Sequence, residues 1–291
     1  MKDWTDFVLE QFIGGWAFFY GIVLCLLGCS LKTFFSQNKL KSIARVTTLA
    51  GAVFVVLSAA PFSFWMYGVF IALLALAAFR PHKGRWQDKK TDYFLLILLL
   101  AQSLLMVRTE TLHFLSPRIT FSANDTLYII GDSLSMGADP PGKNWPELLG
   151  DHANLKVRNL SFGGAKVASS LDQSPLINQY NALVILEIGG NDLLGGTSIH
   201  QFREDLDKML TLVCVPHRRV AMIELPLPPF YNRFGMVQRD LAKSHGVTLI
   251  PKRYLAKTIC TPGATVDGIH LSNAGHVLFA RTLSVMLTQK N

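Results

Sequence analysis

The pattern of apolar and polar positions changes character near Ser116-Pro117. Before that point, uncharged stretches run from Phe12 to Leu31, Val46 to Phe79 and Tyr93 to Val107, the last continuing toward Leu115 past Arg108 and Glu110. Each is a candidate membrane span. The middle stretch would make a helix of about 51 Å against a hydrocarbon core of about 30 Å. Pro61, which has no N–H to give a helix, sits near its centre, so two short spans are expected instead of one tilted helix. The expected spans are 12–31, 44–60, 63–79 and 93–113. One long helix kinked at Pro61 is the alternative, giving three spans and a C-terminal part on the cytoplasmic side. After residue 116 short apolar runs alternate with helical patterns. Strands are expected at 126–130, 155–160, 182–188, 219–225 and 247–251, and helices at 145–152, 173–180, 198–214, 232–245 and 274–288. A run such as "ALVILEI" has no polar face and reads as a strand buried on both sides, which predicts the α/β class, with a parallel sheet between helices.

Composition sharpens the division. Half of the residues are hydrophobic, and the mean hydropathy of +0.30 is too apolar for an ordinary soluble protein. Repeated apolar segments after an acidic leader (Lys2 against Asp3, Asp6 and Glu10) do not resemble a cleavable signal peptide. The net charge of +8 is concentrated in two loops, with Lys32, Lys39, Lys41 and Arg45 in one and Arg80, Lys83, Arg85, Lys89 and Lys90 in the other. That placement points to membrane orientation and away from nucleic acid. Both loops on the cytoplasmic face, with four crossings, put the leader and the C-terminal domain outside. The expected location is therefore the inner membrane, with the domain on the periplasmic side. The four core spans read as free of ionisable residues, which favours anchoring or lateral packing over transport. Gly14, Gly15, Gly21 and Gly28 would allow close helix contact. Cys25 and Cys29 lie within a span, whereas Cys214 and Cys260 are available for a disulfide in an oxidising compartment. No cysteine or histidine spacing suggests a metal, and no cofactor is implied.

Parallel sheets place ligands beyond the carboxyl ends of their strands. The residues there are Gly131-Asp132-Ser133 after the first strand, "SFGGAK" with Gly163 and Gly164 after the second, and "GGND" with Asn191 after the third. "DGIHLS" precedes the last helix. Together they supply a hydroxyl, a base, a carboxylate and hydrogen-bond donors, the parts of an acyl-transfer site. A serine hydroxyl needs an adjacent base, His270 is the candidate, and Asp267 lies within one turn of it. Taken singly, each is equally a turn serine, a surface histidine or an Asp-Gly turn residue. Asp132 and Asp192 suit turns, accepting backbone hydrogen bonds. His276 reads as a packing or surface histidine, Arg218-Arg219 as a solvated turn, Trp145-Pro146 as a helix start, and "LPLPPFYNRF" (225–234) as a rim of an acyl pocket.

The "GDSLS", Gly164, "GGND" and "DGIH" segments, in that order, resemble the SGNH (GDSL-type) hydrolase family over about residues 124–291. The resemblance says nothing of the membrane part. It implies a three-layer α/β/α flavodoxin-like fold for a catalytic domain at 116–291, following a membrane domain at 1–115. It also implies a triad of Ser133, Asp267 and His270, and an oxyanion hole formed by the N–H groups of Ser133 and Gly164 and the side-chain amide of Asn191. The expected function is a membrane-anchored serine hydrolase of carboxylic esters or thioesters, of esterase, lysophospholipase or thioesterase type. Its substrate would be a lipid or an acylated glycan. The alternatives are an O-acetylesterase or O-acyltransferase acting on an envelope polysaccharide, and a non-catalytic membrane adaptor.

Overall fold

The computed structural model describes residues 4–35, 37–80, 89–137 and 142–289. Lys2, Asp3, Lys83 and Arg85, which entered the charge argument, lie outside these residues. The chain forms two compact units: one comprises Gln11–Phe114 with Pro228–Asn232, the other Met1–Glu10, Leu115–Leu227 and Arg233–Asn291.

The helical unit contains α2 (Trp16–Phe34), α3 (Asn38–Leu57), α4 (Phe64–Phe79) and α5 (Lys89–Phe114), preceded by α1 (Trp4–Ile13). The expected first span thus begins four residues late, because the chain breaks at Gly14-Gly15, where Gly15 takes a left-handed φ of 89°. These two glycines form the break. Gly21 and Gly28 do serve contact: a Cβ on Gly21 would lie 2.7 Å from Gly51 O of α3, and one on Gly28 2.7 Å from Ala44 O. The 46–79 stretch divides into α3 and α4 around Pro61, as its length requires. Among the described residues three helices (α2, α3 and α5) are long and apolar enough to cross a membrane, whereas α4, expected as a fourth span, has only 16 residues. That length is about 24 Å of helix, short of a hydrocarbon core of about 30 Å. The last helix also runs on through Arg108 and Glu110, and Glu110 is fully buried. The spans are therefore not free of ionisable groups. Val23, Trp65, Ile97 and Leu104 stand exposed on the helices, a distribution opposite to that of a water-soluble bundle.

The second unit is built on a five-stranded parallel sheet of order β3-β2-β4-β5-β6. Its strands are β2 (Thr126–Gly131), β3 (Lys156–Asn159), β4 (Ala182–Glu187), β5 (Arg218–Ile223) and β6 (Thr248–Ile250). This is the flavodoxin-like order of an α/β doubly wound fold. Every residue of β4 is buried, so its lack of alternation reflects cover on both faces. Leu127, Ile129, Leu183 and Ile185 share one core with Trp145 and Leu149 of α7 (Trp145–Ala153) and Phe279 and Leu283 of α12 (Asn273–Ser284). The intervening residues Tyr128, Ile130, Val184 and Leu186, also buried, point to the opposite face. The helices α9 (Ile199–Val213), α10 (Asn232–His245) and α11 (Arg253–Ile259) complete the unit.

Three local expectations change. The helix expected at 173–180 is a 3₁₀ segment at Ala168–Leu176. Pro175 lacks a donor there, and Ser169 and Ser174 turn their hydroxyls onto the carbonyls of Lys166 and Leu171. The last helix ends at Ser284, and β7 (Leu287–Gln289) pairs in parallel with β1 (Ile119–Phe121). Arg219 is not in a solvated turn: it lies in β5 and pairs with Asp125, whose side chain is buried. Cys214 and Cys260 are both free thiols.

Gly131 is a close approach in the sheet, and its register partner across β2 and β4 is Glu187. A Cβ there would meet Ser135 Oγ at 2.5 Å and Glu187 O at 2.9 Å. Gly131→Ala should lower stability by about 1–3 kcal/mol through overpacking, measured by denaturant titration of the purified protein.

Candidate active site

Residues that end one strand and open the next turn are placed side by side by the parallel register. Immediately beyond β2, Asp132 caps the short helix α6 (Ser133–Met136), its Oδ1 accepting from the N–H of Leu134 at 2.9 Å. Ser133 is the first residue of α6 and is half-buried. In that position its backbone N–H has no intrahelical acceptor.

Beyond β3, Phe162 N–H donates to Gly131 O at 3.3 Å, bringing the Gly163-Gly164 turn against the end of β2. Gly164 takes φ 71°, whereas Gly163 does not adopt a positive φ. A left-handed backbone without a Cβ distinguishes the former as the residue that reorients the chain. Beyond β4, α8 (Gly190–Leu194) carries Asn191 and Asp192. Asn191 Nδ2 donates to Asp132 Oδ2 and to Ala165 O, both at 3.1 Å. Asp192 Oδ2 accepts from the N–H of Val167 at 2.9 Å. The three turns after β2, β3 and β4 are thus one connected network, and both aspartates hold backbone turns.

The fourth segment folds back on itself through an antiparallel bridge between Thr265 and Leu271. Val266 N–H donates to His270 O at 2.9 Å, and Gly268 turns the tip with φ 92°. Asp267 Oδ1 accepts from the N–H groups of Ile269 and His270 at 3.0 and 2.8 Å, while its Oδ2 lies 2.6 Å from His270 Nδ1. These bonds to the charged form, the imidazole bond first, hold the Asp267 carboxyl down at about 2. With Nδ1 occupied by the carboxylate, Nε2 is the ring nitrogen left to take a proton. Burial raises the Asp132 carboxyl and the His270 charge opposes that rise, which puts the imidazole within electrostatic reach of the Ser133 turn. No hydrogen bond joins Ser133 Oγ to His270 among the described residues, a looseness common in substrate-free sites.

This arrangement coincides with a match to the family model described as GDSL-like Lipase/Acylhydrolase, over residues 129–278. The chain belongs to the GDSL-like lipase/acylhydrolase family. It is accordingly an ester-bond hydrolase with an SGNH-type fold. An arylesterase of Vibrio mimicus is 33% identical over 162 residues, 51% of this chain and 80% of that protein. The thioesterase 1/protease 1/lysophospholipase L1 of Escherichia coli (strain K12) is 34% identical over 140 residues, 45% of this chain and 67% of that protein. The crystal structure of TesA superposes with TM-score 0.50 at 28% identity, covering 56% of this chain and 97% of that one. A psychrotrophic esterase EstA from Pseudoalteromonas sp. shares the fold, with TM-score 0.51 at 18% identity, covering 56% and 96%.

The GDSL-family site contains one group that its polarity pattern concealed. Glu187 ends an otherwise apolar strand and is buried beneath the Ser133 turn, with Ser135 Oγ donating to its Oε2 at 2.7 Å. Burial first, and then the neighbouring Asp132 charge, push the Glu187 carboxyl well above the usual range. Only its place after "ALVIL" and before "GGND" marked it out in sequence. His276 is a packing residue: it is buried and its Nδ1 accepts from Trp145 N–H at 3.2 Å. The 225–234 segment divides, with Leu225 and Leu227 buried and Pro228–Asn232 grouped with the helical unit. In that unit Asn232 Nδ2 donates to Ser58 O at 3.1 Å.

The depressed Asp267 pKa carries a definite sign. Its carboxylate form contributes stability that is fully present above the ordinary aspartate value of 3.8 and is lost as pH falls through about 2. The melting temperature of the wild type minus that of Asp267→Ala should shrink as pH falls from about 5 to about 2.

Proposed function

We propose that the protein is a membrane-anchored serine hydrolase that cleaves carboxylic esters or thioesters through an acyl-enzyme on Ser133. The observation that carries this reading is the Asp267–His270 pair, closed at 2.6 Å on a segment within electrostatic reach of the Ser133 turn. Ser133 Oγ attacks the acyl carbon while His270 Nε2 accepts its proton. The same proton then passes to the departing alkoxide or thiolate, leaving the acyl group on Ser133. Water repeats the sequence in reverse roles and releases the acid. Asp267 keeps the imidazole in the tautomer that the first step needs and stabilises its cation.

The developing oxyanion is assigned to the N–H groups of Ser133 and Gly164 and to Asn191 Nδ2. In the substrate-free protein both Asn191 hydrogens already have acceptors, Asp132 Oδ2 and Ala165 O. Oxyanion binding then requires one of them to be shared or exchanged. The names of the arylesterase and the thioesterase/lysophospholipase relatives support esters and thioesters as the bond class. The membrane assignment rests on the three long apolar helices; the periplasmic placement of the catalytic domain further requires the 16-residue α4 to cross as a short fourth span, which would keep both basic loops on the cytoplasmic face.

Hydrolysis profiling over short-chain esters, acyl-thioesters, lysophospholipids and acetylated sugars tests the reading. Ser133→Ala should abolish turnover and fluorophosphonate labelling, and His270→Ala nearly all turnover. Asn191→Ala should lose about 3 kcal/mol of transition-state stabilisation. Acyl transfer to a glycan faster than hydrolysis would replace the esterase reading with a transferase. A reporter fused after Asn291 should be active only in its periplasmic form.

A further inference from the structure

We infer that Glu187 is a positioning residue of this site: as a neutral acid it donates a hydrogen bond to the Asp132 carboxylate and so holds Ser133 and Asn191 in register. The inference rests on the serine-hydrolase reading above, but on different atoms. Residue 187 lies opposite Gly131 in the β2–β4 register, and Gly131 has no room for even a methyl group. Glu187 is therefore pressed against the Ser133 turn. Its carboxyl accepts from Ser135 Oγ at 2.7 Å, and it lies close enough to the Asp132 carboxyl for the Asp132 charge to raise it further.

Two neighbouring carboxyl groups, 2% and 3% exposed, disfavour double ionisation, and the hydrogen bond inferred between them requires one proton. The local donors decide its location. Asp132 has the Leu134 N–H at 2.9 Å and the Asn191 amide at 3.1 Å to stabilise an anion. His270 also favours the Asp132 anion electrostatically, whereas Asp192 opposes it. Glu187 lies deeper and faces the Asp132 charge, so it retains the proton. Burial raises both carboxyls, Glu187 much the further.

Asp132 is then a single buried anion with its ligands in fixed directions: the Leu134 N–H, the Asn191 amide and the Glu187 acid. Ionising or deleting Glu187 leaves Asp132 either repelled or underbonded, and both partners of the chemistry lose their alignment. A misplacement of about 1 Å at a reacting group costs on the order of 10²-fold in rate.

The test uses the full-length protein with a soluble ester and compares Glu187→Gln, Glu187→Ala and Ser133→Ala. Glutamine is neutral, of the same shape, and can donate to Asp132 while accepting from Ser135. Glu187→Ala should lower kcat by about 10²-fold with little change in KM, and Glu187→Gln should restore most of that loss. Glu187→Gln should also lack the fall in activity that Glu187 ionisation causes in the wild type at alkaline pH. Equal loss in the Gln and Ala variants, or no loss in Ala, overturns the inference. If Glu187→Ala does not fold, infrared spectroscopy decides. A protonated-carboxyl band in the wild type at neutral pH that is missing in Glu187→Gln upholds the inference, and its absence from the wild type refutes it. Turnover in Ser133→Ala would instead refute the serine-hydrolase reading, while the infrared result would still decide where the proton resides.

Discussion

The pairing of β2 with β4 is the constraint on which the catalytic unit depends. Both strands are almost wholly buried, and their register runs unbroken from Thr126↔Ala182 to Gly131↔Glu187. Because the strands are parallel, the two chains leave the sheet at the same edge and the same level. Ser133 and Asn191 follow from that geometry, two and four residues beyond the last pair. Without the glycine at 131 the strands would have to separate where the hydroxyl and the amide need to be close. Hydrophobic burial lower in the sheet thus sets the precision of polar groups at its top, which are too few to position themselves.

Much of this was legible in the chain. The strands at 126–131 and 182–187 and the helices at 199–213 and 232–245 stand at or within two residues of where periodicity placed them. Long, strongly patterned segments carry their own signal. The pair β1 and β7, three residues each, carries no such signal, and the two strands exist because they find one another. The 3₁₀ segment was misread because serine hydroxyls competing for carbonyls leave the apolar spacing unchanged.

The candidate site was legible for a different reason. Asp267 and His270 are three residues apart, so a local turn joins them, and the Gly-Asp-Ser and Gly-Gly-Asn-Asp turns lie at predictable strand ends. What could not be read was how these groups are connected. That Asn191 bridges Asp132 and Ala165, or that Glu187 shares a proton with Asp132, depends on sheet register. In the helical unit the last span was expected to continue past Glu110, as it does, but that the helix buries this charge could not be read from the sequence.

The Asp267–His270 turn also separates two properties that are often discussed together. Its bonds are all made within residues 265–271: the Thr265–Leu271 bridge, the Val266-to-His270 bond and the three bonds onto Asp267. Acid and base therefore travel as one preassembled cassette. Displacing that cassette changes the reach from imidazole to hydroxyl while leaving the carboxylate–imidazole bond intact. The bond that fixes the imidazole tautomer is thus set within the loop, while its alignment with the hydroxyl is set by whatever presses on the loop from outside.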